Sequence, residues 1–169
     1  MRELIQKTRE YLDYIEEHYN NVEKAWGIIR EKCVDMPFIQ DDRVYVSIAL
    51  AVKNHDKSKM SAEEFVAYRK NFFPIKDEGD PKAGFEAAWE HHKEHNDHHW
   101  QNWTKNYVDQ PNAAFFLILN IIDWMAMGLK FGDTARDYYE QNKDTIVLPE
   151  WAVKLMYEIF DKVYPKVDK

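Results

Sequence analysis

One segment of the chain, residues 113–127, is apolar almost all round and yet carries the carboxylate of Asp123. Asn120 and Asp123 interrupt it, and it is shorter than the ~20 residues that a membrane span requires, so we expect a helix in a protein core. A buried carboxylate without a partner costs on the order of several kcal/mol, so Asp123 needs a cation or a proton. A metal ion held between this helix and its neighbours would supply the positive charge.

The length and composition predict one mostly helical domain. With 169 residues the chain is long enough for one substantial core and too short for two, so we expect a single domain over residues 1–169. The sequence is 45% apolar and holds 5 glycines and 6 prolines, which favours a globular helical protein.

Charge and cysteine content restrict the partners and the compartment. The net charge of -7 disfavours a long nucleic acid, which is bound through clustered Lys and Arg, but it leaves a small phosphorylated ligand open. Cys33 is the single cysteine, which excludes an intramolecular disulfide and suits a reducing compartment. Residues 1–4 begin an amphipathic pattern and lack the apolar region of a signal peptide. We expect a soluble, cytoplasmic protein that does not bind membranes.

Apolar side chains recur at helical spacing along most of the chain, and no alternating strand pattern accompanies them. Ser61 to Glu64 forms the capping-box pattern of a helix start, and Asn96-Asp97 predicts a break within the histidine-rich region. The sequence therefore predicts an all-α bundle of seven or eight helices, at residues 2 to about 34, 41 to about 56, 61–72, from near Pro81 through His92, 98 to about 107, 111 to about 131, 133–142, and from Leu148 through Val163.

Metal-ligating side chains occur on the apolar side of these helices. In chain order they are His18, the adjacent pair His55-Asp56 at a helix end, a histidine cluster at residues 91–99, and Asp123. Imidazole nitrogens and carboxylate oxygens are ligands for Mn, Fe, Co, Ni or Zn. At a helix end two successive side chains can turn toward one point, and Asp56 could bridge two ions. We therefore expect one or two divalent transition-metal ions.

The histidine cluster leaves the choice of ligands open, because five candidates fall within nine residues: His91, His92, His95, His98 and His99. On a straight helix, residues seven apart are separated by ~10.5 Å of rise, so one ion can hardly collect both. Either the helix breaks at Asn96-Asp97, or the ligands lie three to four residues apart through His95. Helical phase relative to Phe85 favours His92 and His99 as the inward-facing pair. A break would reset the phase, so His98 stays open.

The order His, His-Asp, His, His, Asp on an all-α scaffold resembles the HD-domain superfamily of metal-dependent phosphohydrolases, over roughly residues 18–123. The string His55-Asp56-Lys57-Ser58-Lys59 is similar to the His-Asp-x-x-Lys form of that motif, whose lysine commonly contacts the substrate phosphate. A longer string is similar to a family of small HD-like proteins without an assigned activity: Phe65, Tyr68, Phe73-Pro74, Trp89, His91-His92, His98-His99-Trp100 and Asp123-Trp124.

This resemblance implies a single HD-like domain and a set of metal ligands: His18, His55, Asp56, His92, His99 and Asp123. The chain departs from the pattern in one respect. In dinuclear members the two middle histidines usually come from different helices that are well apart in sequence, whereas here every candidate lies within residues 91–99.

Other side chains are candidates for binding the substrate. Lys59 is the expected catalytic residue, because its charge would neutralise the negative charge that develops on a phosphoryl group. Arg69, about three turns further on with Lys70, could add to phosphate binding. A base or ring could stack on one of several aromatic side chains, of which we favour Tyr68 and Trp103 over Phe73 and Trp100.

Three functions fit this pattern. We expect a metal-dependent phosphohydrolase that attacks a small phosphorylated substrate, most plausibly a nucleotide, with a metal-activated water. One alternative is a dinuclear iron oxygenase on the same scaffold, which the surplus of histidines favours. The other is a non-catalytic, metal-stabilised sensor or binding module. Lys59 favours the first of these.

Overall fold

The structure is a computed structural model that describes residues 1–165 of the chain. Those residues form helices and no strands, so the prediction of an all-α bundle is confirmed. The described part contains nine α-helices: α1 Arg2–Lys32, α2 Pro37–Gln40, α3 Asp42–Lys53, α4 Phe65–Phe72, α5 Phe85–His95, α6 Trp100–Asn106, α7 Ala113–Phe131, α8 Ala135–Asn142 and α9 Glu150–Val163.

Helix α7 lies at the centre of the bundle and contacts α1, α3, α6, α8 and α9. It is apolar almost all round because neighbouring helices surround it, and five of its side chains are fully buried: Leu117, Ile118, Ile121, Ile122 and Ala126. Within the described residues, α7 is the one helix long and apolar enough to cross a membrane, and 61% of its most apolar window is buried in the protein. This burial is what the core helix of a soluble protein shows.

Helix α1 packs a stripe of buried side chains against α7 and also contacts α3, α4 and α9. Tyr11, Val22, Trp26 and Ile29 recur at helical spacing along that stripe, and His18 lies on it with 4% of its surface exposed. The helical repeat therefore turns the imidazole of His18 toward the middle of α7.

Helix α3 is shorter than the sequence predicted. The Asp41 side chain caps its start by accepting hydrogen bonds from the backbone N–H groups of Arg43 and Val44, and the helix ends at Lys53 rather than near residue 56. Asp56 then adopts the left-handed conformation, with φ 55° and ψ 20°. Among non-glycine residues, Asp and Asn enter this region most readily. The turn separates the directions of His55 and Asp56 while keeping both side chains on the core side.

The capping box predicted at residues 61–64 does not begin a helix. Residues 62–64 form a turn, and α4 starts at Phe65. The Glu64 side chain is fully buried and lies against histidines of α5, so it is not available to cap its own helix.

The predicted break between α5 and α6 is confirmed. α5 ends at His95 and α6 begins at Trp100, so His98 and His99 lie in the linker between them. The buried side chain of Asn96 stabilises the break, because its Nδ2 donates to the His92 carbonyl at 2.7 Å and to Ser58 Oγ at 2.6 Å. The directions of the linker side chains therefore do not follow the helical repeat of α5.

Removing buried volume from α7 should destabilise the fold. We expect Ile118→Ala to lower the free energy of unfolding by about 2–5 kcal/mol, because it leaves a cavity in the centre of the bundle. Leu129→Ala, on the same helix but 47% exposed, should change stability by less than about 0.5 kcal/mol. Urea denaturation followed by circular dichroism measures both. Equal losses for the two variants would contradict the central position of α7.

Candidate metal centre

Five parts of the fold converge on one buried cluster of imidazoles and carboxylates. His18 comes from α1, His55-Asp56 from the turn after α3, and Asp123 from the middle of α7. His92 comes from α5, and the α5–α6 linker brings His98 and His99. The ligands that the sequence predicted are thus brought together, and His98 joins them.

The first group of possible metal ligands lies around Oδ2 of Asp56. His18 Nε2 lies 3.1 Å from Asp56 Oδ2, 3.3 Å from Asp123 Oδ1 and 3.2 Å from His55 Nε2. His55 Nε2 lies 3.3 Å from Asp123 Oδ1. Ligands that share one ion at bond lengths of about 2.0–2.2 Å stand about 3.0–3.5 Å apart. These separations match that spacing, so the group can hold an ion.

The second group of possible metal ligands lies around Oδ1 of Asp56. His92 Nε2 lies 3.2 Å and His98 Nε2 3.4 Å from Asp56 Oδ1, and His99 offers a third nitrogen within 4.8 Å of these atoms. The Nε2 atoms of His98 and His99 are buried and lack a hydrogen-bond partner within residues 1–165. Buried polar atoms without partners are rare, and a bound ion would satisfy them.

His98 and His99 are suited to bind an ion because their imidazoles are neutral. Burial lowers the pKa of His98 well below its usual range and lowers the pKa of His99 to about 4. A neutral imidazole keeps the lone pair that a metal needs.

The carboxylates in the cluster are ionised. Burial alone would raise the pKa of Asp56, but electrostatic interactions with the neighbouring His55 and Lys59 side chains hold it well below its usual range. Burial opposes ionisation of Asp123 too, and hydrogen bonds from His18 and His55 lower its pKa. Two buried negative charges must therefore be balanced.

Without an ion, Lys59 and a proton on His18 balance the two carboxylates. Lys59 Nζ lies 2.5 Å from Asp56 Oδ2. Burial lowers the pKa of His18, but hydrogen bonds to Asp123 and Asp56 outweigh it and raise the pKa to about 9. A divalent ion would replace that proton and supply more positive charge to the same atoms.

Glu64 positions two histidines of α5, and no sequence pattern indicated this role. Its two oxygens lie 2.8 Å from His91 Nδ1 and 2.8 Å from His92 Nδ1. A carboxylate accepts hydrogen bonds, so His92 donates from Nδ1 and presents Nε2 to Asp56. The capping-box pattern pointed to the start of α4 instead, because a buried partner 28 residues away leaves no local trace.

A cavity of about 340 Å³ opens onto the cluster. Lys59 and Tyr68 line it, as do Gln101, Met127 and Asp133. Lys59 Nζ also lies 5.9 Å from the centre of the Tyr68 ring. The remaining wall is largely aromatic: Tyr14, Phe72, Phe85, Trp89, Trp100, Trp124, Phe131 and Tyr138.

Two residues predicted to bind substrate lie outside the cavity. Arg69 is buried and pairs both of its terminal nitrogens with the carboxylate of Glu78, so its charge is already neutralised. Trp103 is fully buried in the core, and its Nε1 donates to Asn120 Oδ1 at 3.4 Å. Neither side chain is available to a ligand, so both predictions are corrected.

Of the other aromatic side chains predicted to stack on a substrate, two line the cavity and one does not. Tyr68 and Trp100 line the cavity, whereas Phe73 packs against Tyr11 and Tyr14 in the smaller hydrophobic cluster. The sequence marks each of these rings as apolar but does not reveal which one faces a cavity.

The break in the helix explains the outcome for the histidine cluster. Helical phase identified His92 correctly as an inward residue of α5, since it is 2% exposed. His98 and His99 lie beyond the break, and both reach the cluster. His91 and His95 lie elsewhere on α5, where His91 contacts Glu64 and His95 is exposed.

The model of a protein family of unknown function, DUF5662, matches residues 7–162. The chain belongs to this family. No curated protein and no solved structure matches the chain. The match includes every residue of the buried cluster, from His18 to Asp123, but membership in DUF5662 assigns neither a ligand nor a reaction.

His98 should be needed for metal binding. We expect His98→Ala to weaken binding by at least about tenfold, since even supporting residues around metal sites cost that much when replaced. His95→Ala, an exposed histidine of the same region, should leave the tightly bound metal unchanged. Elemental analysis of the desalted proteins measures both. Full metal content in His98→Ala would remove this residue from the ligand set.

Glu64 should control the affinity without touching the ion. We expect Glu64→Gln to weaken metal binding by about 10–100-fold, because an amide cannot accept from both histidines as a carboxylate does. Glu63→Gln, the exposed neighbour, serves as the control. Competition titration with a zinc-sensitive dye gives both affinities, and circular dichroism checks that the helices are intact. An unchanged affinity in Glu64→Gln would exclude the supporting role.

Proposed function

We propose that this DUF5662 protein is a metal-dependent phosphohydrolase that acts on a small phosphorylated substrate. One observation carries the proposal: the two oxygens of Asp56 face two different groups of imidazoles, beside a lysine that lines a cavity. The order of these residues is also the order for which the chain resembles the HD-domain superfamily. A soluble protein in a reducing, cytoplasmic compartment accords with its buried single cysteine, Cys33.

The donor set fits one or two divalent transition ions. His18, His55 and Asp123 would hold an ion on one side of Asp56, and His92, His98 and His99 an ion on the other. Nitrogen and carboxylate oxygen donors suit Mn, Fe, Co, Ni or Zn. A bound ion supplies Lewis-acid stabilisation of a phosphoryl oxygen and lowers the pKa of a bound water to near neutrality.

Lys59 is the residue that we assign to the phosphate. It is buried, it lines the cavity, and its ammonium group forms an ion pair with Asp56. Once an ion balances Asp56, the ammonium group can turn to a substrate oxygen. There it neutralises the charge that develops as the phosphate ester is cleaved.

The cavity favours a substrate with one phosphate and a planar ring. Lys59 is the one lysine or arginine among the described residues that line it. A chain of several phosphates would bring more negative charge than this wall can balance. The aromatic wall offers faces such as Trp89, Trp100 and Trp124 on which a ring can stack. A nucleoside monophosphate meets both conditions.

A second candidate is a dinuclear iron oxygenase. Five histidines and two aspartates lie close together, which is enough for the four-His, two-Asp set with which some members of the HD superfamily activate O₂. Aerobic purification with two irons and a near-ultraviolet oxo-diiron band would favour this function. Oxygen uptake that survives in Lys59→Ala would do so too, because that reaction does not need a phosphate-binding lysine.

The lysine gives a direct test of hydrolysis. We expect Lys59→Met to lower kcat for phosphate release by about 10²–10³-fold, the loss typical of removing a group that stabilises transition-state charge. Lys57 is exposed in the 3₁₀ helix of residues 57–60, which also contains Lys59. Lys57→Met is therefore the matched control and should keep its activity. Phosphate release from nucleoside monophosphates and from p-nitrophenyl phosphate is measured on metal-loaded protein.

Elemental analysis of both variants shows whether the centre stays loaded. Equal activity of Lys59→Met and wild type would remove Lys59 from the reaction. Absence of turnover with every metal and ester, together with a rise in thermal stability on metal loading, would favour the non-catalytic binding module instead.

A further inference from the structure

Two histidines on α5 remain outside the buried centre. The chain has seven histidines, and five of them belong to the cluster around Asp56. The other two, His91 and His95, lie one helical turn apart on the outer side of α5. Their rings stack with centroids 3.8 Å apart and an interplanar angle of 16°. The His91 side chain is 25% exposed and His95 is exposed.

The hydrogen bonds of these two rings define which nitrogen is free. His91 Nδ1 lies 2.8 Å from Glu64 Oε1, and His95 Nδ1 lies 2.8 Å from the carbonyl oxygen of His91. A carboxylate and a carbonyl oxygen only accept hydrogen bonds, so Nδ1 is the donor in both rings. In the neutral tautomer, Nε2 of each ring then carries a lone pair.

This arrangement leaves one nitrogen on each of two neighbouring rings available to bind a metal ion. Histidines four residues apart on one helix face bind a transition ion together. A ligating histidine usually donates its other ring N–H to a carboxylate or a backbone carbonyl, which fixes the ring and raises its basicity. His91 and His95 each have such a partner already.

We propose that His91 and His95 form a second, peripheral site for a transition-metal ion such as Zn²⁺, Ni²⁺ or Cu²⁺. The site is separate from the buried centre in its ligands. It holds its ion more weakly, because two imidazoles on an exposed helix face provide fewer ligands than the buried groups. Glu64 contacts both sites, through His91 on one oxygen and His92 on the other.

Copper titration of the loaded protein tests the proposal. Protein whose buried centre is filled and then desalted is titrated with Cu²⁺ by calorimetry and by electron paramagnetic resonance. We expect wild type to take up one further Cu²⁺ with a two-nitrogen hyperfine pattern. His95→Ala should weaken that binding by at least about tenfold, since it removes one of two nitrogen ligands. Glu94→Ala, also exposed on α5, should bind as wild type does.

Two results would overturn the proposal. One is an equal Cu²⁺ affinity for wild type and His95→Ala. The other is the release of the buried ion in proportion to the copper added, which would show exchange in the centre rather than a further site. His95 makes one side-chain hydrogen bond, to a backbone carbonyl, so its replacement leaves the fold intact, and circular dichroism checks this.

Discussion

The balance of charge around Asp56 and Asp123 is the constraint on which the rest of the structure depends. Two ionised carboxylates lie in the middle of a helical core, where unpaired charge is strongly unfavourable. Several of the buried polar groups balance this charge: His18 from α1, Lys59 from the turn after α3, and the imidazoles of α5 and its linker. The apolar packing of α7 fixes Asp123 at the centre of this arrangement.

Local patterns in the sequence predicted the helices and most of the cluster. His18 and His92 follow the helical repeat of their own apolar stripes, and Asp123 is conspicuous inside an apolar helix. Beyond the break at Asn96 that repeat no longer applies, so sequence phase could not decide between His98 and His99. A turn conformation, rather than a helical period, sets the direction of those side chains.

Long-range contacts are the part that the sequence did not reveal. Glu64 faces α5 because tertiary packing buries it, although its local pattern resembles a helix cap. Arg69 looks like a phosphate ligand until its pairing with Glu78 is known, and Trp103 looks like a stacking surface until its burial is known. In each case the sequence shows the chemistry of the side chain, but its role depends on the residues that tertiary packing places beside it.

The left-handed turn at Asp56 restricts which changes the centre can tolerate. Asp and Asn are the residues with a side-chain oxygen that enter this backbone region readily, and of these two Asp carries the charge. Conformation and chemistry thus select the same amino acid at this position. The surrounding histidines all have negative φ, so their backbone does not restrict the choice of amino acid in this way. Natural variation or redesign of metal preference therefore has room at those positions that it lacks at Asp56.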